Sequence, residues 1–216
     1  MKLSYNHLAG QSVERLAALS DGIFGVGMTL LVLDLAVPAV AAMGGHPSER
    51  ALWQALAPMG PRLIMYLMSF MTLGIFWVGQ QSQLNHLARS DHHLTWIHLG
   101  FLFAVTLMPF MTKFLAEYAS YRTALLAYWG NILLLGLFLY MAWGYAVRSR
   151  LLKSDIPADL PAAICRRIVI AQSLYAAGAL LCIFNTYLSI AFIVLVQLNY
   201  VLAPGYRRQI APSRES

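Results

Sequence analysis

The sequence predicts an all-α, polytopic membrane protein with six transmembrane helices, and three observations carry that prediction. Of its 216 residues, 59% are hydrophobic and 11% are charged, with a mean hydropathy of +0.62. The apolar residues outnumber the interior positions a water-soluble fold of this size offers, which excludes disorder, a basic nucleic-acid-binding surface and most soluble enzymes. Charged side chains are also missing over whole bilayer thicknesses: between Arg62 and Arg89, between Asp91 and Lys113, and between Arg122 and Arg148. Finally, the cations are unevenly shared between the loops, as the positive-inside rule requires.

A span needs about 20 mostly apolar residues. The first apolar segment, Leu16 to Val37, carries Asp21 and Asp34 but otherwise reads as a span that stops before Pro38. A cleaved signal peptide, suggested by Ala39-Val40-Ala41, is disfavoured by an acidic residue at either end of the apolar core and by a diluted basic n-region. Ser48-Glu49-Arg50 followed by Ala51-Leu52-Trp53-Gln54-Ala55-Leu56 predicts a short, N-capped amphipathic helix at the outer interface, ended by Pro58 and Pro61. The three charge-free stretches supply the second, third and fourth spans. Between Arg167 and Arg207 lie 39 uncharged residues, too many for one crossing, and Asn185-Thr186 near their middle marks the turn of a helical hairpin. The reading is one domain over 1–216, with spans near 13–37, 62–84, 94–116, 123–147, 165–184 and 187–203.

On that topology one side receives Lys2, Arg15, Arg89, Arg148, Arg150, Lys153, Arg166, Arg167, Arg207, Arg208 and Arg214, and the other Arg50, Arg62, Lys113 and Arg122. Eleven cations against four place both termini in the cytoplasm; the expected location is the cell's inner (plasma) membrane.

Few residues suggest chemistry. Cys165 and Cys182 provide neither a disulfide framework nor a metal set. His86, His92 and His93 share a loop with Asp91, but the loop from Arg148 to Arg167 has no histidine to complete a di-iron site, so headgroup-level solvated histidines are expected. No Gly-x-Ser-x-Gly elbow occurs. The expectation is no enzyme, no cofactor and no resident metal.

Asp21 is more informative, because a carboxylate within a span costs about 2.5–3.5 kcal/mol on insertion scales and needs protein or water beside it. Arg15, His98 and Asn131 are the expected partners. At 100° per residue Val26, Leu30, Leu33 and Val37 fall on one apolar stripe, with Leu19 on its continuation and Asp21 about 140° from Val26. Ala18, Gly22, Gly25 and Gly27 keep the helix slim for close packing. Pattern alone fits a lipid-facing or packing surface as well as a pore.

Arg15-x-x-x-Leu19-Ser20-Asp21, continuing Gly-Ile-Phe-x-Val-x-Met-Thr-Leu-Leu-Val-Leu-Asp, resembles the Arg-x-x-x-Phe-Ser-Asp signature of the transmembrane protein 175 family of endosomal and lysosomal potassium channels and their prokaryotic relatives. Leu52-Trp53, Tyr66, Ser69-Phe70 and Gly74-Ile75-Phe76-Trp77 resemble that family's second span; Asp91, Trp96, Phe101, Met108-Pro109-Phe110 and Glu117-Tyr118 resemble its third. Leu19 replaces the signature Phe, and Gln80-Gln81 stand where many relatives carry histidines, which removes a titratable group.

The resemblance implies a homotetramer with the first span of each subunit lining a central pore, a hydrophobic constriction at Val26, Leu30 and Leu33, and a selectivity-associated hydroxyl at Thr29. It implies a structural network around the motif comprising Arg15, Leu19, Ser20, Asp21, Trp77 and His98. The permeant ion would be K+, with other monovalent cations possible, and the partners a second copy of the chain and membrane lipid. Asp34, one turn beyond Leu30, is expected to attract cations at the outer mouth. The competing reading is a secondary transporter or proton carrier that relays protons through Asp21 and His98.

Overall fold

The computed structural model describes residues 12–33, 35 and 48–202. Asp34, Val37, Pro38, the Ala39-Val40-Ala41 sequence and the terminal cations Lys2, Arg207, Arg208 and Arg214 lie outside the described residues. Helix α1, Val13–Val32, begins at Ser12, whose Oγ accepts the Arg15 N–H at 3.2 Å. Ser48 caps α2, Glu49–Leu56, in the same way through the Ala51 N–H, as its position before Glu49 predicts. Then follow α3 (Met59–Asn85), α4 (His92–Thr106), α5 (Met108–Glu117), α6 (Arg122–Arg148), α7 (Leu160–Leu180, extended by a 3-10 turn over Leu181–Ile183) and α8 (Thr186–Leu202). Asn185 makes the turn between the last two: its Oδ1 accepts the Tyr187 N–H at 2.8 Å and so starts α8.

Five helical stretches are long and apolar enough to cross a membrane: Val13–Val32, Met59–Asn85, His92–Glu117, Arg122–Arg148 and Leu160–Ile183. Thr186–Leu202 is a shorter apolar helix of 17 residues. The chain is therefore an all-α, multi-pass membrane protein.

The third span, expected near 94–116, is built from two consecutive helices. It is interrupted at Leu107, where α4 gives way to α5. Pro109 explains the break, because it has no N–H for the Val105 carbonyl and its ring clashes with that turn. The buried Asn131 of α6 inserts at the same level and donates Nδ2–H to the Ala104 carbonyl at 3.1 Å.

Helix α6 packs against α4, α5 and α7, and α8 closes on α7 and α3. The main core contains Phe24, Met68, Leu73, Phe101, Val105, Met108, Tyr128 and Ile132. Close approach depends on small residues: a Cβ added at Gly100 would stand 2.5 Å from the Phe138 ring. Inside this apolar mass the Tyr128 hydroxyl meets Ser69 at 3.1 Å and Thr72 at 3.2 Å, while Thr112 donates to Ser69 and Gln197 donates to Thr72 at 2.6 Å. The network ties α3, α5, α6 and α8 together where lipid offers no alternative partners.

Candidate functional site

The site is built on α1. Its buried residues, Leu16, Ser20, Phe24, Gly27 and Leu31, fall within about 80° of one another on the helical wheel and face the core. The apolar stripe is centred about 110° further round, and the fold leaves it uncovered: Val26 is 59% exposed, Leu30 44%, Leu33 74% and Leu19 45%. Beside it runs a shallow groove of about 390 Å³ lined by Ala18, Leu19, Gly22, Val26, Leu30 and, from α4, Thr106. A Cβ added at Gly22 or Gly25 would meet nothing, so the uncovered sector continues across these small residues toward Asp21.

Thr29 lies within this sector. Its hydroxyl donates to the Val26 carbonyl at 2.8 Å, with the Gly25 carbonyl at 3.0 Å. Because its hydrogen points into the helix, the exposed oxygen presents lone pairs outward, the polarity a cation favours.

Asp21 marks the far edge of the sector. Its Oδ1 accepts the Trp77 indole N–H at 2.7 Å and the Gln81 side-chain N–H at 2.6 Å. Neighbouring Ser20 is buried; its Oγ accepts from Gln80 at 2.7 Å and donates to the Leu16 carbonyl at 2.8 Å. The Ser-Asp pair of α1 is therefore clasped by Trp77, Gln80 and Gln81, which three- and four-residue spacing places on one face of α3.

This corrects the partners expected for Asp21. Arg15 lies six residues earlier, about 120° round the helix. His98 is buried on α4 and its Nδ1 donates to the Leu94 carbonyl at 3.2 Å, while Asn131 is occupied at the α4–α5 break. Of the expected network the structure joins Ser20, Asp21 and Trp77 through α3 and leaves His98 apart, so the Asp21–His98 relay lacks a joining hydrogen bond. In the sequence alone Gln80 and Gln81 read only as missing titratable groups. The signal for their role was their spacing: two amides inside an apolar span, three and four residues after a tryptophan.

His92 and His93 open α4 and do not lie in the loop before it, and His86 is the C-cap of α3. Asp91 caps α4 through the Leu94 N–H at 2.8 Å and accepts the Tyr145 hydroxyl at 2.7 Å, and His92 accepts the Trp96 indole N–H at 3.0 Å. Among the described residues, no three His, Cys, Asp or Glu side chains form a metal cluster.

Residues 15–109, which hold the α1 motif and its α3 clasp, match the family described as "Endosomal/lysosomal potassium channel TMEM175". The chain is 34% identical over 158 residues to a potassium channel of Streptomyces collinus, covering 71% of this chain and 73% of that one. The chain belongs to the TMEM175 family. Within that family it is also 29% identical over 195 residues to a potassium channel of Chamaesiphon minutus, across 87% of this chain and 93% of that one. The crystal structure of a lysosomal potassium-selective channel TMEM175 homolog from Chamaesiphon minutus superimposes with a TM-score of 0.76 at 26% identity, covering 88% of this chain and 96% of that one. The TMEM175 family is one of ion channels, not of enzymes.

Proposed function

We propose that this chain is the subunit of a potassium-permeable cation channel, a homotetramer whose four α1 helices enclose the ion path. The carrying observation is the Val26-Leu30-Leu33 stripe, left uncovered on the helix that bears the family motif. Four copies facing one axis form an apolar constriction that blocks ions by dewetting when narrow and passes them when the helices tilt or rotate outward. Such a pore has no ring of backbone carbonyls, so K+ is preferred over Na+ only modestly, through dehydration cost and the Thr29 oxygens. Asp34 raises the cation concentration at the outer mouth, and both termini lie in the cytoplasm of a cell whose plasma membrane holds the channel. Asp21 braces α1 against α3 and does not touch the ion.

Purified protein in a planar bilayer with a KCl gradient tests the reading. Unitary currents reversing near the K+ equilibrium potential are expected, and Leu30→Asn raises the open fraction by wetting the constriction. Slow, saturating flux without unitary steps indicates a carrier and overturns it, as does an assembled oligomer whose axis is lined by a helix other than α1.

A further inference from the structure

Four helices, α3, α6, α7 and α8, surround a cleft of about 80 Å³ whose lining includes Gln83, Leu139, Arg167, Gln172, Tyr175 and Tyr200. That is room for two or three waters at roughly 30 Å³ each, or for a small polyol. Gln83 is only 3% exposed and donates Nε2–H to the Leu139 carbonyl at 3.3 Å; Gln172 donates Nε2–H to the Ile132 carbonyl at 3.4 Å. Because a carbonyl can only accept, these bonds fix both amides with nitrogen toward α6. Both Oε1 atoms are then buried without a hydrogen-bond partner. Orphaned acceptors in an apolar wall call for an occupant that donates.

Arg167, exposed at the mouth, decides which donor. A metal cation or an ammonium group would satisfy the glutamine oxygens but would meet the guanidinium as a like charge. A phosphate ester bearing hydroxyls satisfies both ends: its anion takes the forked guanidinium donors, and its hydroxyls donate to Gln83 and Gln172. Arg167 sits seven residues, about 10 Å, into α7, at the end of the bundle that also carries Arg148 and Arg166. Val169 and Ile170 are exposed beside it, an apolar approach for acyl chains.

We propose that this cleft binds the glycerol-phosphate headgroup of an anionic phospholipid, with its phosphate on Arg167 and its hydroxyls on the orphaned oxygens of Gln83 and Gln172. The site is separate from the α1 sector, and its test reads bound mass, not current, so its failure leaves the channel reading untouched. Native mass spectrometry of the purified full-length protein, titrated with phosphatidylglycerol, phosphatidylcholine or soluble glycerol 3-phosphate, is the experiment. Phosphatidylglycerol adducts should persist at about tenfold lower lipid concentration than phosphatidylcholine adducts. Arg167→Gln and Gln172→Leu should each abolish that preference, whereas Arg166→Gln, with the neighbouring cation outside the cleft, preserves it; circular dichroism shows whether each variant remains folded. Equal retention of the two lipids overturns the proposal. So does equal loss in the Arg166 and Arg167 variants, which means diffuse attraction, or loss of the preference only in variants that have lost their helix signal. Binding of glycerol 3-phosphate as tight as that of the lipid replaces the lipid with a soluble ester, and density for water alone in the cleft removes the ligand.

Discussion

Trp77 of α3 donates its indole N–H to the Asp21 carboxylate of α1 at 2.7 Å, and Gln81, one turn further on, donates to the same oxygen at 2.6 Å. This places a charge-assisted clasp on the side of α1 about 140° from Val26. The clasp limits how α1 can rotate about its own axis, and any outward motion of the stripe must carry the Trp77 contact with it or break it.

Trp77→Phe keeps the ring and removes the donor. Because Asp21 is exposed in the protomer, the lost bond is expected to cost about 1 kcal/mol, below the roughly 1.5–3 kcal/mol of better-buried hydrogen bonds to charged groups. In a double-mutant cycle with Asp21→Ala, measured by equilibrium unfolding in detergent, the two losses should be strongly non-additive, since they remove the same bond. Simple additivity would show that the indole and the carboxylate act independently.

Thr29→Val preserves shape and deletes the outward lone pairs. Bi-ionic reversal potentials should show the K+/Na+ preference reduced by about two- to threefold, with K+ conductance retained, because hydroxyl oxygens only supplement dehydration cost in a dewetting pore. An unchanged ratio would remove Thr29 from selectivity.

Two glycines on lipid-buried helices offer a matched pair. At Gly100 an added Cβ would lie 2.5 Å and 2.7 Å from ring atoms of Phe138, whereas at Gly144 nothing stands within 4 Å. Gly100→Ala should destabilise by about 1–3 kcal/mol through overpacking of α4 on α6. Gly144→Ala should be neutral or stabilising by up to about 1 kcal/mol through helix propensity. Thermal unfolding in one detergent compares them directly.

Asp34→Asn removes the carboxylate proposed to concentrate cations at the outer mouth. Single-channel conductance should fall at low ionic strength and converge with that of the parent protein near 1 M KCl, where the Debye length shrinks to about 3 Å. Equal conductance at every salt concentration would reject the role.

Much of this protein was legible in its sequence because lipid makes the rules strict. Every backbone polar group must be satisfied within the chain, so the gaps between charged residues marked the helices, and Ser48 and Asn185 stood where helix starts require them. The stripe of α1 followed from periodicity alone, since a helix fixes which residues share a face.

Whether that face would be covered did not follow from periodicity. It depends on which helices pack against Phe24 and Leu31, which only tertiary contacts decide. The partners of Asp21 were likewise undetermined, because Trp77 and Gln81 reach it only once α3 lies antiparallel beside α1, some 56 and 60 residues along the chain. Asn131 illustrates the same limit: its polarity announced a buried bond, but the bond's location depended on where Pro109 opened the third span. Local chemistry determined the elements and their faces; the pairing of those faces is a property of the whole packing, because each buried polar group pairs with whichever donor or acceptor the assembled helices bring within about 3 Å.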